Sequence, residues 1–289
     1  MVITMKTSII SDQINMDFEK ALHTAKEYFS YVEIHSLWGK TIEDISDSEA
    51  AEMEKLLEKN NMRVSCLSTT LFLMCPLYTE VKTLEPFSDK FLVFSGTRNE
   101  HIEKLKRCTE LAVRFKADSI RVFPFRKETG IREDMKVILR DMAEIFREAS
   151  IIAEKKNKVL AVENCPFTYL PRGNMTFELA DLVNQPGFSL LYDIGNSYRC
   201  GMLDFPEEYK KESLQDEFSR IIQKISHFHF KDYTMKDGKY LHLPLGEGDI
   251  NYKEFYSYIK KESREWCVSL EPEVDEAGTI KSIENFLRM

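Results

Sequence analysis

Val159-Leu160-Ala161-Val162-Glu163 is an apolar, β-rich run that ends on one carboxylate and then breaks at Asn164-Cys165-Pro166. The same construction recurs in Ser189-Leu190-Leu191-Tyr192-Asp193, in Ile225-Ser226-His227-Phe228-His229 and in Trp266-Cys267-Val268-Ser269-Leu270-Glu271. Short apolar runs bounded by turn residues read as strands. A polar group at the carboxyl end of a parallel strand lies where barrels and open α/β sheets keep their chemistry.

Working outward, β-type runs lie near Ile3 to Ile9, Tyr31 to His35, Arg63 to Ser68, Ser119 to Phe125, Val159 to Glu163, Ser189 to Asp193, Ile225 to Phe230 and Cys267 to Glu271. Amphipathic segments separate them, among them Asp47 to Asn60, His101 to Lys116, Met135 to Lys156 and Ile250 to Lys261. Ser46 and Glu49 have the spacing of a capping box for the first of these. Strands alternating with helices imply right-handed βαβ units and a parallel sheet, and eight such units can close into a single (β/α)₈ TIM barrel. No Pro/Gly/Ser-rich linker or low-complexity tract interrupts the pattern, so one domain over residues 1–289 is expected. The long gaps around Cys75 to Glu100 and Asn196 to Lys224 are expected to be loops roofing the active face.

Alternate residues of a barrel strand point inward. Glu163 shares parity with Val159 and Ala161, Asp193 with Ser189 and Leu191, His229 with Ile225 and His227, and Glu271 with Cys267 and Ser269. Each could separately cap the next helix or meet solvent. Four of them, in the second half of one repeating pattern, point to a shared mouth where a cation relieves the mutual repulsion of three carboxylates. This oxygen-rich set with one nitrogen suits one divalent ion, Mn²⁺ foremost, with Mg²⁺, Co²⁺ or Zn²⁺ also compatible.

Composition narrows the classes. The chain has 289 residues, 43% hydrophobic and 30% charged, and no apolar run approaches a membrane span. Its formal charge of -8 argues against a broad nucleic-acid surface. Six cysteines without a Cys-x-x-Cys pair, and no secretory signal at Met1-Val2-Ile3-Thr4-Met5-Lys6, suggest a reduced, cytoplasmic protein.

The segments Val162-Glu163-Asn164, Tyr192-Asp193-Ile194-Gly195-Asn196, His227-Phe228-His229-Phe230-Lys231-Asp232, Leu245-Gly246-Glu247-Gly248-Asp249 and Ser269-Leu270-Glu271 resemble the sugar phosphate isomerase/epimerase family, the xylose isomerase-like TIM barrels. The stretch from Val32 to Lys40 is similar to the second-strand segment of such proteins. The resemblance spans nearly the whole chain. It implies metal ligation by Glu163, Asp193, His229 and Glu271, with Glu163 and Glu271 also the acid/base pair. Several epimerases of this group have Asp-x-x-His where this chain has Asp193-Ile194-Gly195-Asn196; Asn196 can hydrogen-bond a substrate hydroxyl but cannot relay a proton.

The expected chemistry is carbohydrate metabolism: a metal-binding isomerase or epimerase that removes a proton beside the carbonyl of a keto-sugar or sugar phosphate through a metal-stabilised enediolate. Around the centre, Trp38 is either a wall for the apolar face of a sugar or a core residue, and His242, on a loop after the seventh strand, either touches substrate or is solvated. Lys231 orients the histidine ligand, contacts substrate or forms a plain ion pair with Asp232. His227 is expected to be a hydrogen-bonded interior group. Glu33 and Arg121, both at inward parity, are expected to pair. Gly246, Gly248 and Asp249 read as a turn into a helix with Asp249 as N-cap.

Two other functions compete. A metal-dependent dehydratase or lyase on a polyol or keto-sugar begins with the same proton abstraction, and a non-catalytic sugar-binding barrel would not require two opposed glutamates. A trinuclear endonuclease needs more imidazoles than six histidines supply once His23 and His101 fall in helices. The expected partner is therefore a small-molecule sugar or sugar phosphate, with neither nucleic acid nor membrane, in a chain compatible with a homo-oligomer.

Overall fold

A computed structural model describes residues 5–78, 91–131, 133–203, 205–262 and 264–289. The start of the first expected strand, at Ile3, and much of the expected Cys75 to Glu100 loop lie outside these residues. Eight strands, β1 (Lys6–Ile9), β2 (Tyr31–Ile34), β3 (Arg63–Leu67), β4 (Ser119–Val122), β5 (Val159–Glu163), β6 (Phe188–Asp193), β7 (Ile225–Phe230) and β8 (Cys267–Leu270), form one sheet in the order β1-β8-β7-β6-β5-β4-β3-β2. Every neighbouring pair is parallel. A parallel bridge between Ile10 and Glu33 joins the two end strands, so the sheet is a nearly closed barrel.

One principal helix follows each strand: α1 (Phe18–Ala25), α2 (Asp47–Lys59), α3 (Arg98–Arg114), α4 (Met135–Glu154), α5 (Gly173–Val183), α6 (Leu214–Ile221), α7 (Tyr252–Lys261) and α8 (Glu276–Leu287). The capping box of Ser46 and Glu49 opens α2, and Thr97 with Glu100 does the same for α3. The apolar stripes of these helices cover the outer face of the sheet, for example Phe146 of α4 against Phe188 of β6, with ring centroids 5.3 Å apart. No helix among the described residues is long and apolar enough to cross a membrane.

The inside of the barrel is polar near its amino end. Ser8 contacts Ser269, Ser65 donates to Ser8 at 3.0 Å, and His227 Nε2 lies 3.0 Å from Ser269 Oγ. His227 is therefore the hydrogen-bonded interior group its parity implies. All six cysteines are buried and unpaired.

Two loop expectations fail. The seventh loop is an antiparallel hairpin, Asp232–Lys236 with Lys239–Leu243, so His242 sits on a strand opposite Tyr233. Asp249 is not the cap of α7, which starts at Tyr252 after Asn251. It accepts instead from the Tyr198 hydroxyl at 2.8 Å and the Met235 amide at 3.1 Å. The turn before α7 is organised by Asp232, whose Oδ2 accepts from the Gly246 and Gly248 amides at 2.9 and 3.0 Å. Those amides are thereby occupied by the protein's own carboxylate.

Candidate metal centre

Glu163, Asp193, His229 and Glu271 converge at the carboxyl end of the barrel. One donor atom from each lies within 4.8 Å of the others, and all four residues are buried. Sheet register produces this height match: Asp193 is paired with His229 across β6 and β7, and His229 with Ser269, two residues before Glu271. His229 Nδ1 faces Glu163 Oε1 at 3.5 Å and Glu271 Oε2 at 3.4 Å. Although fully buried, this nitrogen makes no hydrogen bond. An imidazole nitrogen without a hydrogen-bond partner, turned into a ring of carboxylates, is the donor set that a divalent cation fits.

Glu33 fixes which nitrogen points inward. Its Oε1 lies 3.0 Å from His229 Nε2, its Oε2 lies 2.9 Å from His227 Nε2, and Ser68 donates to the same carboxylate. A carboxylate behind a ligating imidazole sets both its tautomer and its ring orientation. Burial works against charge on Glu33, but the two histidines outweigh it and hold the carboxyl well below its ordinary range. The expected Glu33–Arg121 pair is therefore wrong: the histidines take the glutamate.

Arg121 reaches the centre instead. Its Nη1 lies 3.1 Å from Glu163 Oε2 and 3.4 Å from Glu271 Oε1, while its other nitrogens donate to the Thr69 and Ser68 carbonyls. Lys231 is a second buried cation, 2.9 Å from Asp193 Oδ2, 2.8 Å from Glu271 Oε2 and 2.9 Å from Glu273 Oε1. It is not the surface partner of Asp232. Asn196, in the short helix after β6, gives its side-chain amide to Glu163 Oε1 at 3.3 Å and its backbone N–H to Asp193 at 2.7 Å.

These contacts decide the charge states. Burial raises the cost of ionising Glu163 and Glu271, yet Arg121 and His229 keep Glu163 low, and Lys231 with His229 keeps Glu271 lower still. Asp193 moves the other way, since burial and its two carboxylate neighbours together outweigh Lys231. An ionised glutamate beside such a centre can accept a proton, and once protonated it can deliver one.

The centre opens into a chamber of about 460 Å³ lined in part by Asp12, His35, Phe91, Phe123, Phe167, Asn196, Arg199, Lys231, His242 and Glu273. Of the expected substrate contacts, Asn196, Lys231 and His242 line it. Trp38 does not: it packs edge-on against Phe18, ring centroids 5.9 Å apart, in the turn of a hairpin beside the core. Sequence reading gave no role to Asp12, His35, Arg199 or Glu273. His35 Nδ1 lies 2.8 Å from Asp12, a pairing between consecutive βα loops that no spacing in the chain announces.

Residues 22–289 match the family described as xylose isomerase-like TIM barrel. No curated protein matches the chain in sequence. Among solved structures, the probable 3-DHS dehydratase AsbF of Bacillus anthracis is similar, with TM-score 0.71 and 19% identity, over 98% of this chain and 99% of that one. A D-tagatose 3-epimerase-like protein has TM-score 0.70 and 18% identity over 98% and 96% of the two chains. A xylose isomerase-like TIM barrel protein from Mycobacterium smegmatis, solved in complex with magnesium, has TM-score 0.69 and 16% identity over 98% and 95%. At these identities the structural likeness speaks for the fold alone; with the family match across residues 22–289, this chain belongs to the xylose isomerase-like TIM barrel family.

Proposed function

We propose that the protein is a divalent-metal-dependent isomerase or epimerase that moves a proton next to the carbonyl of a keto-sugar or sugar phosphate. The observation that carries this reading is the approach of both Glu163 and Glu271 to His229 Nδ1, at 3.5 and 3.4 Å, beside a chamber large enough for one small ligand. The metal ligands are Glu163, Asp193, His229 and Glu271; the ion is Mn²⁺ foremost, with Mg²⁺, Co²⁺ or Zn²⁺ as alternatives. When bound, such an ion polarises a carbonyl and lowers the cost of removing the adjacent proton.

The chain's own groups do the rest. One ionised glutamate takes the proton; the other, protonated beforehand from solvent, delivers a proton to the opposite face, and delivery to the neighbouring carbon would give isomerisation. Arg121 holds both carboxylates in place, Asn196 orients Glu163, and Asn196, Lys231 and His242 are the polar groups that meet substrate. The similar structures include a probable dehydratase as well as an epimerase-like protein, and loss of water after the same first step is the competing outcome. Buried, unpaired cysteines support a reducing, cytoplasmic setting.

The test is solvent exchange: protein with Mn²⁺ in D₂O against free and phosphorylated ketoses, followed by NMR. Deuterium entering beside the carbonyl, and stopping on chelation, supports the reading. Exchange followed by loss of water assigns a dehydratase, and no exchange with any sugar or metal leaves a binding barrel.

A further inference from the structure

Three cationic side chains line the chamber, and two are neutralised by carboxylates: Arg121 by Glu163 and Glu271, Lys231 by Asp193, Glu271 and Glu273. Arg199 is different. It ends the short helix Ile194–Arg199 that leaves Asp193; among the described residues no carboxylate forms a close ion pair with it, and Glu273 and Asp193 act on it only at longer range. Its guanidinium rests against two rings, 5.5 Å from the centroid of Phe167 and 5.3 Å from that of Tyr233. Its Nε is buried without a hydrogen-bond partner. Ring faces orient a guanidinium plane but offer no oxygen for its N–H groups, so the buried Nε is left without an acceptor. His35 adds a second unsatisfied group to the chamber lining: its Nε2 is buried without a partner while Nδ1 is held by Asp12 at 2.8 Å.

We propose that Arg199 receives an anionic group of the substrate, a carboxylate or a phosphate, so that the ligand of this chamber is an acidic sugar rather than a neutral ketose. The inference rests on the reading of the chamber as a substrate site over the metal centre, and it deepens that reading by naming the substrate class. A planar guanidinium fork fits two oxygens of either anion, and the rings of Phe167 and Tyr233 fix its plane in advance. Phe123 and Phe167 add apolar wall to the chamber into which this guanidinium faces.

Equilibrium binding separates this from the enolisation chemistry. Fructose, fructose 6-phosphate and fructuronate are titrated into the Mn²⁺-loaded protein, wild type, Arg199→Met and Arg199→Lys, by calorimetry. At least one anionic probe should bind ~10- to 100-fold more tightly than fructose. Arg199→Met should erase that preference while fructose affinity stays within about twofold, and Arg199→Lys, a charge without the fork, should keep part of it. Which anion gains shows whether the group is a phosphate or a carboxylate. Wild-type protein that binds neither anionic probe more tightly than fructose overturns the assignment, and so does an Arg199→Met variant that keeps the preference. If Arg199→Met fails to fold, Arg199→Lys carries the test, and a preference it keeps in full overturns the role of the guanidinium fork. Preference for an anion without deuterium exchange would sink the enolisation reading alone; exchange of neutral ketoses without that preference would sink only the role of Arg199.

Discussion

Glu33 Oε1 stands 3.0 Å behind His229 Nε2, and this contact aims the opposite nitrogen, Nδ1, at Glu163 and Glu271. Substituting Glu33→Gln keeps the shape but can present an N–H to the ring and favour the wrong tautomer. Mn²⁺ affinity should fall about 10- to 100-fold by calorimetry. Unchanged affinity would mean that barrel packing alone orients His229.

Glu163→Gln and Glu271→Gln should each reduce deuterium exchange by roughly 10²- to 10⁴-fold, with a further loss wherever metal affinity drops. Measuring exchange at saturating Mn²⁺ separates the two effects. A variant that turns over near the wild-type rate is not part of the acid/base pair.

Lys231 lies 2.9 Å from Asp193 and 2.8 Å from Glu271, two of the proposed ligands. Replacing it by Met leaves those buried carboxylates short of one positive charge. Without metal, the variant should lose about 3–5 kcal/mol of stability. Because a divalent ion supplies compensating charge, Mn²⁺ should raise the melting temperature more in Lys231→Met than in the wild type. Equal shifts would place Lys231 outside the electrostatic balance of the centre.

His101, fully buried on α3, stacks on Phe72 and accepts its backbone N–H at 3.0 Å. Burial lowers its pKa to about 4. An unfolded histidine titrates near 6.5, so between these values the unfolded chain binds more protons and stability rises with pH. The contribution is complete above about pH 6.5 and disappears as pH falls through 4, a loss of roughly 3 kcal/mol. Denaturant midpoints at pH 7.5 and pH 4.5 should differ less in His101→Gln than in the wild type, and an identical difference would remove His101 as the source.

Gly248 packs against Asp232 so closely that a Cβ would overlap its carboxylate and the Tyr233 carbonyl. Gly248→Ala should therefore displace the turn before α7 at a cost of roughly 1–3 kcal/mol. Amide exchange at Gly246 and Ile250 should accelerate. Unaltered protection would show that the loop does not depend on Asp232.

The sequence by itself determined the eight strand-helix units and the four strand ends at the mouth, because apolar periodicity and inward parity are local properties of a run of residues. The Ser46 and Glu49 capping box was legible for the same reason. The tertiary structure alone decided that Glu33 serves His227 and His229, that Arg121 crosses to Glu163 and Glu271, that Lys231 is buried among carboxylates, that Arg199 rests on the rings of Phe167 and Tyr233, and that Trp38 packs against the core. Parity says that a side chain points inward, but not its height in the barrel or which distant residue meets it. Those follow from the stagger of neighbouring strands and the path of the loops, which appear only when the sheet curls and β1 meets β2.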